Sequence, residues 1–212
     1  RLIDDKVTTT FLLTGSASPV VGTTTHSGAG RIISLRMRPL SLAERAGTQP
    51  TVFIHDLFER EADIAGNSDF SLSDYATAIC STGLPGIYDL SPRARRAAIA
   101  GYVTRIIDRD VPEQGGSVRR PDTLRSWLAA YAAASSTTTT YTKILDAATP
   151  ADTDKISKKT SDKYRDLLTK IWVLDSVPAW SPQAPSLARL NLSPKHQLFD
   201  PGIAANLLGV TD

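Results

Sequence analysis

Helical periodicity is most complete just past residue 90. Ile99, Tyr102, Val103, Ile106 and Ile107 follow the i, i+3, i+4, i+7, i+8 template in full. Ser91-Pro92 supplies a cap and a proline at the first helical position, and the sequence ends this helix near Asp110, ahead of Pro112 and Gly115-Gly116. Three shorter stripes follow: Leu124, Trp127, Leu128 and Tyr131; then Tyr141, Ile144, Leu145 and Ala148; then Tyr164, Leu167, Leu168 and Ile171. Ala132–Thr140, all small residues, reads as a helix end and a turn. Trp172–Trp180 turns extended, a Pro/Ser loop intervenes, and His196–Phe199 reads as a returning strand. Asp200-Pro201 caps a last helix over Gly202–Leu208. Three small amphipathic helices followed by a β-hairpin are the order of elements in a winged helix, and Trp127, Trp172 and Trp180 are expected to fill its core.

The first 90 residues are patterned differently. Phe11–Ser18 is an apolar run that ends in small polar residues, as a buried strand does when it delivers hydroxyls at its C-terminal end. A Gly/Thr/Ser loop, Val20–Gly30, leads to a second apolar run, Arg31–Leu35. Two strands joined by a loop lack the neighbours of a parallel core, so the pattern predicts further polypeptide ahead of Arg1. Ser41 with Glu44, and Ser71 with Asp74, have the spacing of capping boxes, the second opening a helix through Cys80. Thr51–Ala62 mixes apolar and acidic residues as a helix would, and Gly83-Leu84-Pro85-Gly86 is a turn. The expected fold class is mixed α/β, predominantly α, with one domain over 1–90 and a helical, winged-helix-like domain over 91–212.

Composition narrows the function classes. With 24 basic and 22 acidic residues among 212, the total charge does not call for a nucleic-acid partner, and only local clustering could. One cysteine, Cys80, excludes an internal disulfide and fits a reducing cytoplasm. No apolar run approaches the roughly 20 residues of a membrane span, and no signal peptide opens the chain. The one methionine is Met37, so Arg1 is not expected to be a natural start.

Five stretches in order resemble bacterial AAA-type ATPases that carry a C-terminal winged helix followed by a nuclease-like fold. Phe11–Ala17 is similar to their Leu-Leu-Thr-Gly-Ser strand, His26–Arg31 to the segment before the next strand, and Pro39-Leu-Ser-Leu42 to their Pro-Leu-Ser-Leu. Asp108-Arg109-Asp110 is similar to the pair that begins the C-terminal domain, and Pro194-Lys195 through Asp200-Pro-Gly202 to a Pro-Lys…Asp-x-Gly signature. The resemblance implies the remnant of a parallel AAA-type core, with ATP and Mg²⁺ as cofactors of the complete protein. It implies roles for Thr14 and Ser16 in sensing a γ-phosphate or orienting water in the complete protein. The family's phosphate loop would lie upstream, since no Gly-Lys pair occurs here to reach β- and γ-phosphates. Its acidic metal pair is imitated by Val52–Asp56 without the following Glu. A partial ATPase, inactive alone and completed by a separate N-terminal portion, is therefore one expectation.

The other candidates each carry a bland alternative. Thr14 and Ser16 could equally be solvated hydroxyls at a strand end. Arg31 has the guanidinium of an arginine finger, or is an exposed strand start. Gly22–Gly30 is either an anion nest or a surface loop. Lys155, Lys158, Lys159, Lys163, Arg165 and Lys170 lie on or before the third helix, where a recognition helix meets phosphates. Asp152, Asp154, Asp162 and Asp166 are interleaved and reduce that charge, and Thr149–Thr160 is a long connection for a helix-turn-helix. DNA or a protein is thus the alternative partner, through a module without catalysis. Asp108, Arg109 and Asp110 form either a charged hinge or a helix-end cluster whose acids need a partner such as Arg119, Arg120 or Lys195. His26, His55 and His196 have no ligand spacing, so no metal site is expected, and Gly-x-Ser-x-Gly is absent.

Overall fold

The computed structural model describes residues 12, 14, 15, 33, 35–50, 52–59, 64–115, 120–149, 156–180 and 192–211. Among them the fold is predominantly helical. Two short helices, α1 (Leu42–Ala46) and α2 (Ile54–Glu59), precede α3 (Leu72–Cys80) and α4 (Pro92–Arg105). A π-helical turn, Ile106–Asp110, joins α4 to α5 (Val111–Glu113). Then come α6 (Pro121–Ala133), α7 (Tyr141–Ala148), α8 (Lys158–Lys170) and α9 (Pro201–Leu208).

Both capping boxes form. Ser41 closes on Glu44 and Ser71 on Asp74, each hydroxyl accepting the amide three residues on. The Ser41 backbone amide holds the Glu44 carboxyl below its ordinary range, and the Ser71 hydroxyl does the same for Asp74. Ser91 does not cap with its side chain, and the helix starts on Pro92 alone.

The helix expected to end near Asp110 continues to Glu113 through Pro112. Val111 bonds back to the Ile106 carbonyl, a five-residue step that widens the turn. That wider register lets the chain carry a proline, which has no amide to offer, without breaking the helix.

The four apolar stripes meet in one core. Ile99, Val103, Ile106, Ile107 and Val111 pack with Leu124, Trp127, Leu128 and Tyr131 of α6, and Ile144, Leu168, Leu174, Leu198 and Ile203 complete the cluster. α6 lies at its centre, in contact with α7, the π-turn and α9, and α9 also packs on α3 and α4. Trp127 is fully buried, donates to Ser161 Oγ of α8 at 2.8 Å and stacks on Tyr131 at 5.5 Å. The other two tryptophans are not core. Trp172 is 42% and Trp180 84% exposed. Trp172 turns the chain out of α8 at a φ of 65°, which swings its ring outward beneath the Arg36 guanidinium at 4.9 Å.

Of the expected hairpin, the described residues show two isolated antiparallel bridges, Leu174–Leu198 and Val177–Lys195, which form a short ladder without a regular strand; residues 181–191, between its two sides, lie outside the described residues. The Asp175 amide donates to Gln197 O at 2.8 Å, Val177 and Lys195 exchange bonds at 2.9 Å, and Phe199 donates to Val173 O at 3.1 Å. The second strand is also held from its other side. Ser136 donates to His196 O at 2.8 Å and His196 to Thr137 O at 2.9 Å, tying in the α6–α7 loop. A parallel α/β core is not seen among the described residues. Of the two predicted N-terminal strands only Leu12, Thr14, Gly15, Ile33 and Leu35 are described, and none is in a strand. An unpaired strand has no partner for its backbone groups.

Candidate functional site

α8 presents the richest local charge. Ser157 Oγ accepts the Thr160 amide at 3.1 Å and fixes its start. Ser161, Tyr164 and Leu168 turn inward, while Lys158, Lys159 and Lys163 are exposed and Lys170 is half-buried. These lysines, with Asp162, Asp166 and Leu167, line a shallow depression of about 660 Å³. Arg165 behaves differently. Its guanidinium meets Asp162 at 3.2 Å and Asp166 at 3.1 Å, and lies 5.0 Å over the Tyr141 ring. Both acids of this face therefore engage Arg165. The four lysines make no ion pair with another described residue, so the face remains positive. Lys155 lies outside the described residues.

Asp200 is fully buried, with no exposed surface. Its Oδ1 accepts the amides of Gly202 at 2.8 Å and Ile203 at 3.3 Å, capping α9. Its Oδ2 accepts the Gly83 amide at 2.7 Å. Gly83 O in turn accepts the Leu40 amide at 2.7 Å. Thr82, at a φ of 64°, packs so closely on Gly202 that a Cβ there would sit 2.6 Å from the Thr82 nitrogen. Asp200 is thus a structural clasp.

Arg109 donates to Glu113 Oε1 at 2.8 Å, which raises the arginine above its ordinary value, and Asp110 lies 3.8 Å from Arg105. Asp110 and Arg109 thus each have a neighbour about one turn away on the same helix, because the helix runs on past Asp110. Arg119 lies outside the described residues. Lys195 contributes its backbone to the ladder.

Thr14 is exposed, and Ser16, Arg31 and the Gly22–Gly30 loop lie outside the described residues. Asp56 falls on α2, where His55 meets Glu59 at 2.9 Å. His196 is fully buried between the edges of Tyr131 and Tyr141, with Nε2 2.7 Å from the Thr139 carbonyl. Among the described residues no group of three His, Cys, Asp or Glu could hold a metal ion, and no helix is long and apolar enough to cross a membrane.

Sequence reading missed a second cluster. Asp175 receives Arg36 Nη1 at 2.7 Å and is paired also by Arg38, while Arg36 Nη2 donates to the Trp172 carbonyl at 3.0 Å. Burial lowers the Arg36 guanidinium from its ordinary value. Arg45 Nη1 donates to the carbonyls of Ala78 and Thr82, each at 2.9 Å. Only the alternation around Asp175 could have marked it as an outward position of a strand; nothing local pointed to residues about 140 positions upstream.

Residues 72–212 match the family described as a domain of unknown function (DUF8612). The chain belongs to this family. No curated protein and no solved structure matches it. The match takes in α3 through α9 and therefore the α8 face, the ladder and the Asp200 clasp, while Arg36, Arg38 and Arg45 lie ahead of it.

Proposed function

We propose that the chain binds duplex nucleic acid through α8 as a winged-helix-like module. The observation that carries this reading is the exposed Lys158, Lys159 and Lys163, with half-buried Lys170, on the third helix of the order helix, helix, helix, antiparallel ladder, with the local acids already paired to Arg165. A row of lysines suits phosphate contact, which supplies affinity without reading sequence. The test is the anisotropy of a labelled duplex titrated at several salt concentrations. Affinity should fall steeply with salt, and Lys158→Ala/Lys159→Ala/Lys163→Ala should reduce the log–log slope by about 2–3, near 0.9 for each phosphate no longer neutralised. Flat titrations at low salt end the proposal and leave a protein-binding role for the same face.

A second reading, part of an AAA-type ATPase that requires ATP and Mg²⁺ in its complete form, is favoured by one observation. Two of the stretches that carry the resemblance, Pro39–Leu42 and Asp200–Gly202, converge on Gly83, one through its carbonyl and the other through its amide. This chain, lacking a Gly-Lys pair, should show no ATP affinity alone. A polypeptide carrying a phosphate loop should restore it on mixing; continued absence of binding would count against this reading.

A further inference from the structure

The segment just ahead of the family match is fastened to it at three places. At one end Arg36 and Arg38 share the Asp175 carboxylate, and Arg36 also bonds the Trp172 carbonyl and covers its ring. In the middle the Leu40 amide bonds Gly83, whose own amide bonds Asp200. At the far end Arg45 spans the carbonyls of Ala78 and Thr82 at the close of α3. A Cβ on Gly83 would lie 2.4 Å from the Leu40 carbonyl oxygen, so the contact is one of backbone against backbone.

The two ends of this segment touch different things. Asp175 and Trp172 open the ladder immediately after α8 ends at Lys170. Thr82–Gly83 lies against the start of α9. The far end, Arg45, lies in α1, whose start is fixed by its own capping box. The Asp175 side chain is only 15% exposed, so this ion pair is screened less than a surface pair. Residues 99–205 supply the buried apolar core, and none of the described residues before Ile99 adds a buried apolar side chain. Pro39, Leu40 and Leu42 are only half-buried, so polar bonds carry much of the attachment, and such bonds break and re-form more readily than core packing.

We propose that Arg36–Arg45 is a strap that couples the chain upstream of it to the α8–ladder face, holding the ladder in its present position through Asp175. Movement transmitted to Arg36 and Arg38 frees the ladder next to the lysine face while the core stays folded. The proposal rests on the α8 reading only for what that face binds; the strap itself is a claim about motion.

Hydrogen exchange of the 212-residue chain tests it. In Arg36→Ala/Arg38→Ala, the amides of Asp175, Val177 and Phe199 should exchange roughly tenfold faster, as local opening of a weakly held unit does, while Leu128 and Tyr131 in α6 keep their protection. Asp175→Asn should give the same pattern. Uniform acceleration throughout the core would show a general stabiliser rather than a strap and overturns the proposal, as does unchanged ladder exchange. Duplex binding of the same variants is read separately. Faster ladder exchange with no duplex binding by the parent chain sinks the α8 reading and leaves the strap standing.

Discussion

The Asp200 carboxylate accepts the Gly83 amide at 2.7 Å across 117 residues of chain, in a site closed to water. With the same side chain it caps α9, so one acid satisfies three amides. Asp200→Ala leaves all three buried donors without an acceptor. The expected cost is about 2–3 kcal/mol, a cap loss together with unsatisfied amides. Thermal unfolding should show it, and Asp122→Ala at an exposed helix position serves as the control. A change no larger than the control would mean that Asp200 is not a clasp.

Two glycines should respond in opposite directions to the same methyl group. Gly202 has the Thr82 nitrogen and Cα at 2.6 and 2.7 Å from an added Cβ, both backbone atoms that cannot step aside. Gly202→Ala should destabilise by about 1–3 kcal/mol, as overpacking does. Gly101 lies in α4 with open space around it. Gly101→Ala should stabilise by about 0.5–1 kcal/mol, through helix propensity. Denaturant midpoints of the two variants would check the contrast.

Local rules recovered much of this fold. Ser41–Glu44 and Ser71–Asp74 announce their helices, and the stripe of α6 is buried residue for residue. The ladder could be read from the two extended runs because each is short and bounded by turn residues. Pro112 misled because a proline's cost depends on the register it meets, and a π-turn changes that register. Trp172 misled because its apolar surface is covered by a cation from far away rather than by core. The lysine face and its excess of bases were visible as spacing; which base the acids would engage was not, since that depends on Asp162 and Asp166 closing on Arg165 rather than on a lysine. Gly83 and Asp175 had no local signal, because what fixes them is a partner more than 100 residues away.

Arg165 should not behave as a phosphate ligand. Its guanidinium is held by two carboxylates and an aromatic face. Arg165→Ala should therefore leave the salt slope of duplex binding close to that of the parent chain. It should lower stability by about 0.5–1 kcal/mol, from helix-surface ion pairs and one cation–π contact. The comparison with Lys163→Ala, which should lower the slope by about 1, separates charge that is available to a partner from charge used within the fold. A slope reduced as much by Arg165→Ala as by Lys163→Ala would contradict this.

Alkaline pH should unfold the protein through its tyrosines. Tyr102, Tyr131, Tyr141 and Tyr164 all have their phenols pushed above the ordinary value, with burial the leading cause in each. Tyr131, packed between Trp127 and His196, is raised furthest. The folded state thus keeps these protons where the unfolded chain gives them up. Below about 10, the value in an unfolded chain, both states hold the protons and stability is unaffected by them. As the pH rises past that value toward the raised folded values, the unfolded state ionises first and stability is lost. Melting temperatures followed by circular dichroism should be level between about pH 8 and 9 and fall above about 10. Tyr131→Phe has no proton to lose at this position, so its melting temperature should fall less steeply over the same range. A fall of equal steepness in the variant would remove Tyr131 as a source of the alkaline transition.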